Sequence, residues 1–136
     1  MTREEEKIER VLEKMRECIY HKRITPGTRE RKKNEDFMRV YLVSNDDRNE
    51  MLLSLTSLNY CQSILDRQKE GDCYEDCLYV FRLDKKLELR LTGEKEFVQI
   101  YIKIQFFKMS DNENTWTLLI SFHKAESELE YMFKNN

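Results

Sequence analysis

The stretch that decides the fold is "EFVQIYIKIQFFKMSDNENTWTLLISFHK", residues 96–124. Apolar side chains alternate with mostly polar ones in two runs, first from Val98 to Phe106 and then from Trp116 to Phe122. This alternation is typical of a β-strand that buries one face in a core. The turn residues "SDNEN" at 110–114 separate the runs. The stretch therefore predicts an antiparallel hairpin of residues 97–108 and 115–124.

The register of this hairpin follows if the apolar side chains of both strands share one face. The apolar pairs are then Ile102 with Phe122, Ile104 with Ile120, and Phe106 with Leu118. The opposite face pairs Tyr101 with His123 and Lys103 with Ser121. Directly opposed residues have Cβ atoms about 4.5 to 5.5 Å apart. A phenol, an imidazole and an ammonium are therefore expected to converge in one patch.

Helical signals precede the hairpin. Residues 3–21 place apolar side chains three and four positions apart, which predicts an amphipathic helix. The segment "ITPGTRERKKN" contains the chain's one proline, so a loop is expected there. Further helices are expected where capping residues occur. They run from Asn34 to about Val43, from the "SNDD" segment to Ser54 or Leu55, and from Thr56 to about Leu65.

Strand signals fill the second half of the chain. The segments "CLYVFRL" and "KLELRL" are rich in β-branched, aromatic and other apolar residues and come before the hairpin. Helices followed by strands predict an α+β fold in which N-terminal helices pack on an antiparallel C-terminal sheet. A chain of 136 residues has the length of one domain, so residues 1–136 are expected to fold as a single unit.

Composition narrows the classes of function. No apolar run approaches the roughly 18 to 20 residues that span a bilayer, and the chain starts with charged residues, so a cytoplasmic protein without a membrane partner is expected. Three scattered glycines cannot supply a phosphate-binding loop. Cys73 and Cys77 lack a second ligand pair at zinc spacing. The sequence therefore predicts neither a cofactor nor a metal site.

Basic residues are concentrated between His21 and Arg39. This segment has seven lysine and arginine residues against three acidic ones, although the net charge of the chain is −2. One interpretation is a solvated connector, because runs of charge usually face water. The other is a segment that contacts phosphates, in which Lys32 and Lys33 are candidate RNA contacts.

The patch predicted on the hairpin has the groups that metal-free RNA cleavage requires. In that reaction a base takes the proton of the ribose 2′-OH, a cation stabilises the phosphorane, and an acid protonates the leaving 5′-oxygen. Tyr101, Lys103 and His123 supply groups of these kinds. The alternative interpretation of the same residues is a packed Tyr–His pair beside a solvated lysine.

Five segments, in order, resemble toxins of the motility quorum-sensing regulator family, in particular the form found in Gram-positive bacteria. They are "ERKKNEDFM", "MLLSLTSLNY", "CLYVFRL", "VQIYIKI" and "LISFHKAESELEYMF". The resemblance implies a RelE-like ribonuclease fold and sequence-dependent cleavage of messenger RNA without metal. It also implies neutralisation by a cognate antitoxin protein, expected to have a helix-turn-helix.

The resemblance also implies roles for individual residues. Tyr101 matches the active-site tyrosine of the family, and His123 stands where the best-known members carry a lysine. Gln62 stands where the family has another lysine, and Val80 where it has a glutamine. With these departures, the alternative is a catalytically inactive module that binds RNA or the antitoxin. The predicted site has Tyr101, His123 and Lys103 as catalytic residues, and its expected RNA contacts are Arg67, Arg82, Gln62, Lys32 and Lys33.

Overall fold

The structure is a computed structural model that describes residues 1–69, 71, 73–109 and 114–133. Three helices and a five-stranded sheet make an α+β fold, which confirms the predicted class. The helices are α1 (Arg3–Tyr20), α2 (Arg31–Val40) and α3 (Asn45–Leu53). The strands are β1 (Ile24–Pro26), β2 (Tyr60–Leu65), β3 (Cys77–Glu88), β4 (Lys95–Lys108) and β5 (Thr115–Lys124). No helix in these described ranges is long and apolar enough to cross a membrane.

The sheet has the strand order β1-β5-β4-β3-β2. The pairs β2–β3, β3–β4 and β4–β5 are antiparallel, whereas β1 runs parallel to β5, so the sheet is mixed rather than wholly antiparallel as predicted. β1 lies inside the segment that was predicted to be only a loop. The three residues of β1 are too few to give an alternation that a sequence pattern can reveal.

The first helix follows the predicted pattern. Thr2 and Glu5 form a capping box at its N-terminus, and the apolar stripe of α1, which includes Leu12 and Met15, is fully buried. This stripe faces the apolar side of the sheet, where Ile100, Ile102 and other even-numbered residues of β4 are also fully buried. The main core therefore lies between the helices and one face of the sheet, and Phe37 of α2 and Leu52 of α3 belong to the same buried cluster as the α1 stripe.

Asn34 is not the N-cap of a helix, so that prediction is wrong. The helix starts earlier, with Glu30 at its N-cap, and ends at Val40 rather than Val43. Asn34 lies inside α2, where its side-chain nitrogen donates to the carbonyl of Ile120 at 3.0 Å and its oxygen accepts from the backbone N–H of Phe122 at 2.9 Å. Its amide thus covers an open stretch of the β5 edge, which otherwise would lack partners.

The next two predicted helices had different outcomes. The capping box of Ser44 and Asp47 starts α3 as expected. Thr56 caps only a 3₁₀ turn, Ser57–Asn59, and the residues after it form β2 instead of a helix. This segment forms a strand because it pairs with β3 and because Tyr60 is buried against Phe81, with ring centroids 5.7 Å apart. Tertiary contacts here override the local capping signal.

The predicted hairpin of β4 and β5 is confirmed, with a register that is correct over half its length. Tyr101 pairs with His123, and Lys103 pairs with Ser121, as predicted. Beyond this point a bulge at Ile120 shifts the pairing, so that Ile104 pairs with Leu119 and Phe106 with Thr117. The predicted pairs Ile104–Ile120 and Phe106–Leu118 are therefore wrong. Residues 110–113 of the predicted turn lie outside the described residues.

The other face of the sheet carries the polar side chains of the predicted patch. A segment of residues 27–30, called the strap below, connects β1 to α2 and contacts this face. Arg29 of the strap hydrogen-bonds Asp66, the residue after β2, and Glu30 hydrogen-bonds side chains of β5. The strap therefore spans the distance from the β5 edge to the end of β2.

Candidate functional site

The two central strands bring the predicted catalytic side chains together. Tyr101 and Lys103 come from β4, and His123 lies opposite Tyr101 on β5. The Tyr101 and His123 rings stack with centroids 5.6 Å apart and planes 8° from parallel. Lys103 Nζ lies 5.6 Å from the centroid of the Tyr101 ring. The predicted convergence of these three groups is confirmed.

The site also contains a carboxylate, Glu30, that was not predicted to belong to it. Glu30 Oε1 accepts a hydrogen bond from His123 Nε2 at 2.9 Å. Its other oxygen, Oε2, lies 3.3 Å from Lys103 Nζ and accepts a hydrogen bond from Ser121 Oγ. Three donors from two strands therefore converge on one carboxylate of the strap.

The carboxylate of Glu30 is held in its ionised form. Burial raises its pKa, but the hydrogen bonds from Ser121 and His123 and the charge of Lys103 together lower that pKa from 4.5 to about 2. The side chain of Glu30 is 21% exposed and that of Lys103 is 18% exposed. The ion pair is thus partly desolvated, which makes each of its hydrogen bonds stronger than on an open surface.

The two ring nitrogens of His123 each face an acceptor. Its Nδ1 lies 2.9 Å from the backbone carbonyl oxygen of Lys124, and its Nε2 faces the Glu30 carboxylate. Both partners are acceptors only, so whichever ring nitrogen carries hydrogen has a partner to which it can donate. The arrangement therefore suits the ring to donating a proton.

Tyr101 supplies a neutral phenol. Burial and the negative charge of Glu30 both raise the pKa of its hydroxyl above the ordinary value of 10.0. A cavity of about 220 Å³ lies beside the phenol and is also bounded by Glu30, Lys103, His123, Glu126, Ser127 and Leu129. The four polar side chains therefore line a space that is open to a ligand.

Arg82 lies next to this site, but its donors are engaged. It pairs with Tyr101 across β3 and β4. Its guanidinium makes hydrogen bonds of 2.9 and 3.0 Å to Asp84 and one of 2.6 Å to the carbonyl of Leu129, and it lies over the ring of Tyr131. Arg82 thus fastens the C-terminal segment to the sheet. Its predicted contact with RNA stays a prediction.

Gln62 and Arg67 lie farther from the catalytic side chains. Gln62 pairs with Val80, which pairs with Lys103, so Gln62 is on the same face two strands away, about 10 Å by the spacing of strands. It is exposed, as is Arg67 after the end of β2. The structure does not bring Arg67 into contact with the site.

The two predicted RNA contacts in the basic segment are in the first turn of α2. Lys33 Nζ lies 2.6 Å from the carboxylate of Glu126, next to the cavity, and Lys32 lies 3.3 Å from that of Asp36. Residues 31–40 form a helix on the β5 edge, so the basic segment is not a loose connector.

The strap that carries Glu30 is fixed by a partly buried ion pair. The guanidinium of Arg29 makes two hydrogen bonds, of 3.1 and 2.9 Å, to the carboxylate of Asp66. Asp66 is 5% exposed and also accepts from the backbone of Gln68 and from Gln105 Nε2. The hydrogen bond from Arg29 is the main reason that the pKa of Asp66 lies below its ordinary value. Arg29 thereby positions its neighbour Glu30.

Comparison of the chain with protein-family models, with curated proteins and with solved structures gives no match. Within the described residues, no group of three or more histidine, cysteine, aspartate or glutamate side chains is placed to hold a metal ion.

The residues that sequence reasoning missed are Glu30, Ser121 as a donor, and the pair of Arg29 with Asp66. Glu30 is 91 residues from Ser121 and 93 from His123 along the chain. The only local signal is its position as an acidic residue between two arginines. That signal does not indicate which face of the sheet the carboxylate contacts.

Proposed function

We propose that this protein is the toxin of a type II toxin–antitoxin system and acts in the cytoplasm as a metal-independent, sequence-dependent messenger RNA endoribonuclease with a RelE-like fold. The observation that supports this most is the convergence of Lys103, Ser121 and His123 on one anion beside the phenol of Tyr101. The resemblance to the motility quorum-sensing regulator family supports the same activity and a helix-turn-helix antitoxin as partner.

The proposed substrate position follows from the charges. A phosphate of RNA binds at the donors, where Lys103 and Ser121 contact its non-bridging oxygens. Donors fixed in a partly desolvated site stabilise the charge that develops on the phosphorane. Tyr101 stacks on the imidazole of His123 and presents a neutral hydroxyl to the phosphate.

The proposed reaction moves two protons. The ribose 2′-oxygen attacks the adjacent phosphorus while its proton passes to the Glu30 carboxylate. The bond from phosphorus to the 5′-oxygen breaks, and His123 Nε2–H donates its proton to that oxygen. The products are a 2′,3′-cyclic phosphate and a 5′-hydroxyl. The acceptors that face both ring nitrogens of His123 suit it to the role of general acid.

A second candidate function is a catalytically inactive module that binds RNA or the antitoxin. It is favoured by the engagement of all three donors with Glu30 in the free protein. The departures of Gln62 and Val80 from the family pattern favour it as well.

Induced expression separates the two candidates. Expression of the toxin stops growth and shortens messenger RNA, and His123→Ala and Tyr101→Phe each restore growth while the protein stays folded. His21→Ala and Tyr20→Phe are matched controls on exposed residues and keep the arrest. An inert module produces neither RNA fragments nor arrest at any level of expression.

A further inference from the structure

We propose that Ser121, His123 and Lys103 form a subsite for one RNA phosphate, and that the carboxylate of Glu30 fills this subsite in the free protein. RNA then binds only as the side chain of Glu30 leaves its three donors, and the displaced carboxylate is the base that takes the 2′-OH proton in the proposed reaction. The inference rests on the proposed function for the identity of the ligand, and it adds an internal competitor to that site.

The donors match a phosphate as well as they match a carboxylate. A hydroxyl, an imidazole N–H and an ammonium all donate, and they divide between two oxygens of one anion: His123 on Oε1, and Ser121 and Lys103 on Oε2. In an RNA phosphodiester, which carries one negative charge as a carboxylate does, a non-bridging oxygen takes the place of Oε2 at Ser121 and Lys103, and the leaving 5′-oxygen takes that of Oε1 at His123. Charge-assisted hydrogen bonds of this kind are the strong ones in proteins.

Helix α2, which follows Glu30, does not depend on the observed position of the Glu30 side chain. It occupies the N-cap of α2, yet its side chain makes no capping hydrogen bond. Thr2 and Ser44, at the N-caps of α1 and α3, both do. The carboxylate of Glu30 is directed instead to the strands, so its displacement removes no cap from α2.

The strap allows the carboxylate to leave without a change of fold. Arg29 is bound to Asp66 through two hydrogen bonds, which hold the backbone beside Glu30 in place. Rotation about the side-chain bonds of Glu30 is then sufficient to release the donors. Rotations of this kind in partly exposed residues are fast compared with ligand binding.

An internal competitor lowers the affinity for the ligand. When only a fraction of the molecules have an open subsite, the apparent affinity is reduced by that fraction. Variants that cannot fill the subsite are therefore expected to bind RNA more tightly than the wild type.

The test is binding of a 2′-O-methyl RNA oligonucleotide, which lacks the attacking hydroxyl, measured by fluorescence anisotropy. Glu30→Asp keeps the charge, is a preferred N-cap residue and is one methylene too short to reach the donors. Glu30→Gln removes the charge. Both are expected to bind about tenfold more tightly than the wild type. Glu35→Gln removes one charge from an exposed position of α2 and is expected to bind within about twofold of the wild type.

Unchanged or weaker binding by Glu30→Asp overturns the inference and makes Glu30 a residue that orients His123. Equal gains by Glu35→Gln and Glu30→Gln, without a gain by Glu30→Asp, also overturn it, because net charge then explains the effect. Since the oligonucleotide cannot be cleaved, tighter binding supports the subsite even if the wild type fails to cut unmodified RNA. That failure would refute only the proposed function.

Discussion

Asp66→Asn is expected to destabilise the protein because Asp66 anchors the strap. An asparagine of the same shape places an NH₂ group where Oδ2 now accepts from Arg29 at 2.9 Å and from Gln105 at 2.7 Å. Both hydrogen bonds are lost, and the arginine keeps a charge without its partner. Removal of one partner from a buried ion pair costs about 3 to 5 kcal/mol. Since the side chain of Arg29 is 27% exposed, we expect about 3 kcal/mol.

The chain offers a matched control in the pair of Arg82 with Asp84. That pair also has two hydrogen bonds, of 2.9 and 3.0 Å, but the side chain of Asp84 is 48% exposed. After Asp84→Asn, Arg82 keeps its hydrogen bond to the carbonyl of Leu129. We expect a cost of roughly 0 to 1 kcal/mol.

Urea unfolding at pH 7 measures both costs, provided that the dependence on urea concentration is the same for each variant. A difference of less than about 1 kcal/mol between the two variants would refute the reasoning, because burial would then add nothing to a pair of the same geometry.

Three further predictions concern acid, protonation and charge. Because folding lowers the pKa of Asp66, its ionised carboxylate stabilises the fold at pH values above the pKa of an aspartate in the unfolded chain, about 3.9. The difference in unfolding free energy between wild type and Asp66→Asn is therefore expected to shrink as pH falls from 7 to 3, which urea titrations at several pH values check. His123→Lys is expected to lower the cleavage rate, because an ammonium gives up its proton less readily than an imidazole-derived acid, and rate measurements on the purified variants check this. Lys103→Gln is expected to weaken RNA binding and to lower the slope of log affinity against log salt by about 1, as binding titrations at several salt concentrations would show.

The hairpin shows where sequence patterns determine pairing. Around Tyr101 and His123 the alternation has a single solution, because a slip of one residue would expose the apolar set. Residues 118–120 are all apolar, so either face can bury them and the alternation gives no unique register. The bulge at Ile120 lies in that run. The prediction failed where the pattern became degenerate.

The helices show a different limit. Asn34 and Thr56 both have the chemistry of an N-cap, but Asn34 is used by the open edge of β5, and Thr56 is followed by a strand. In both cases the deciding partner is distant in sequence. Local capping signals identify residues that can begin a helix, and contacts with the sheet decide which of them do.

The only site residues that could be predicted from the sequence lie on the strands β4 and β5. Tyr101, Lys103 and His123 follow from the register, whereas Glu30 reaches them from a strap whose path depends on the pair of Arg29 with Asp66. No periodicity connects those residues, so the sequence indicates Lys103 and His123 but neither the role of Ser121 as a donor nor the carboxylate that these side chains bind.

The most direct test of the proposed activity is the chemistry of the RNA ends. Purified protein is incubated with an RNA oligonucleotide in EDTA, and the products are identified by mass. The account predicts fragments with 2′,3′-cyclic phosphate and 5′-hydroxyl ends, formed at similar rates by His21→Ala and about 10² to 10⁴ times more slowly by His123→Ala. No fragments, fragments with 5′-phosphate ends, or equal cleavage by His123→Ala would contradict it.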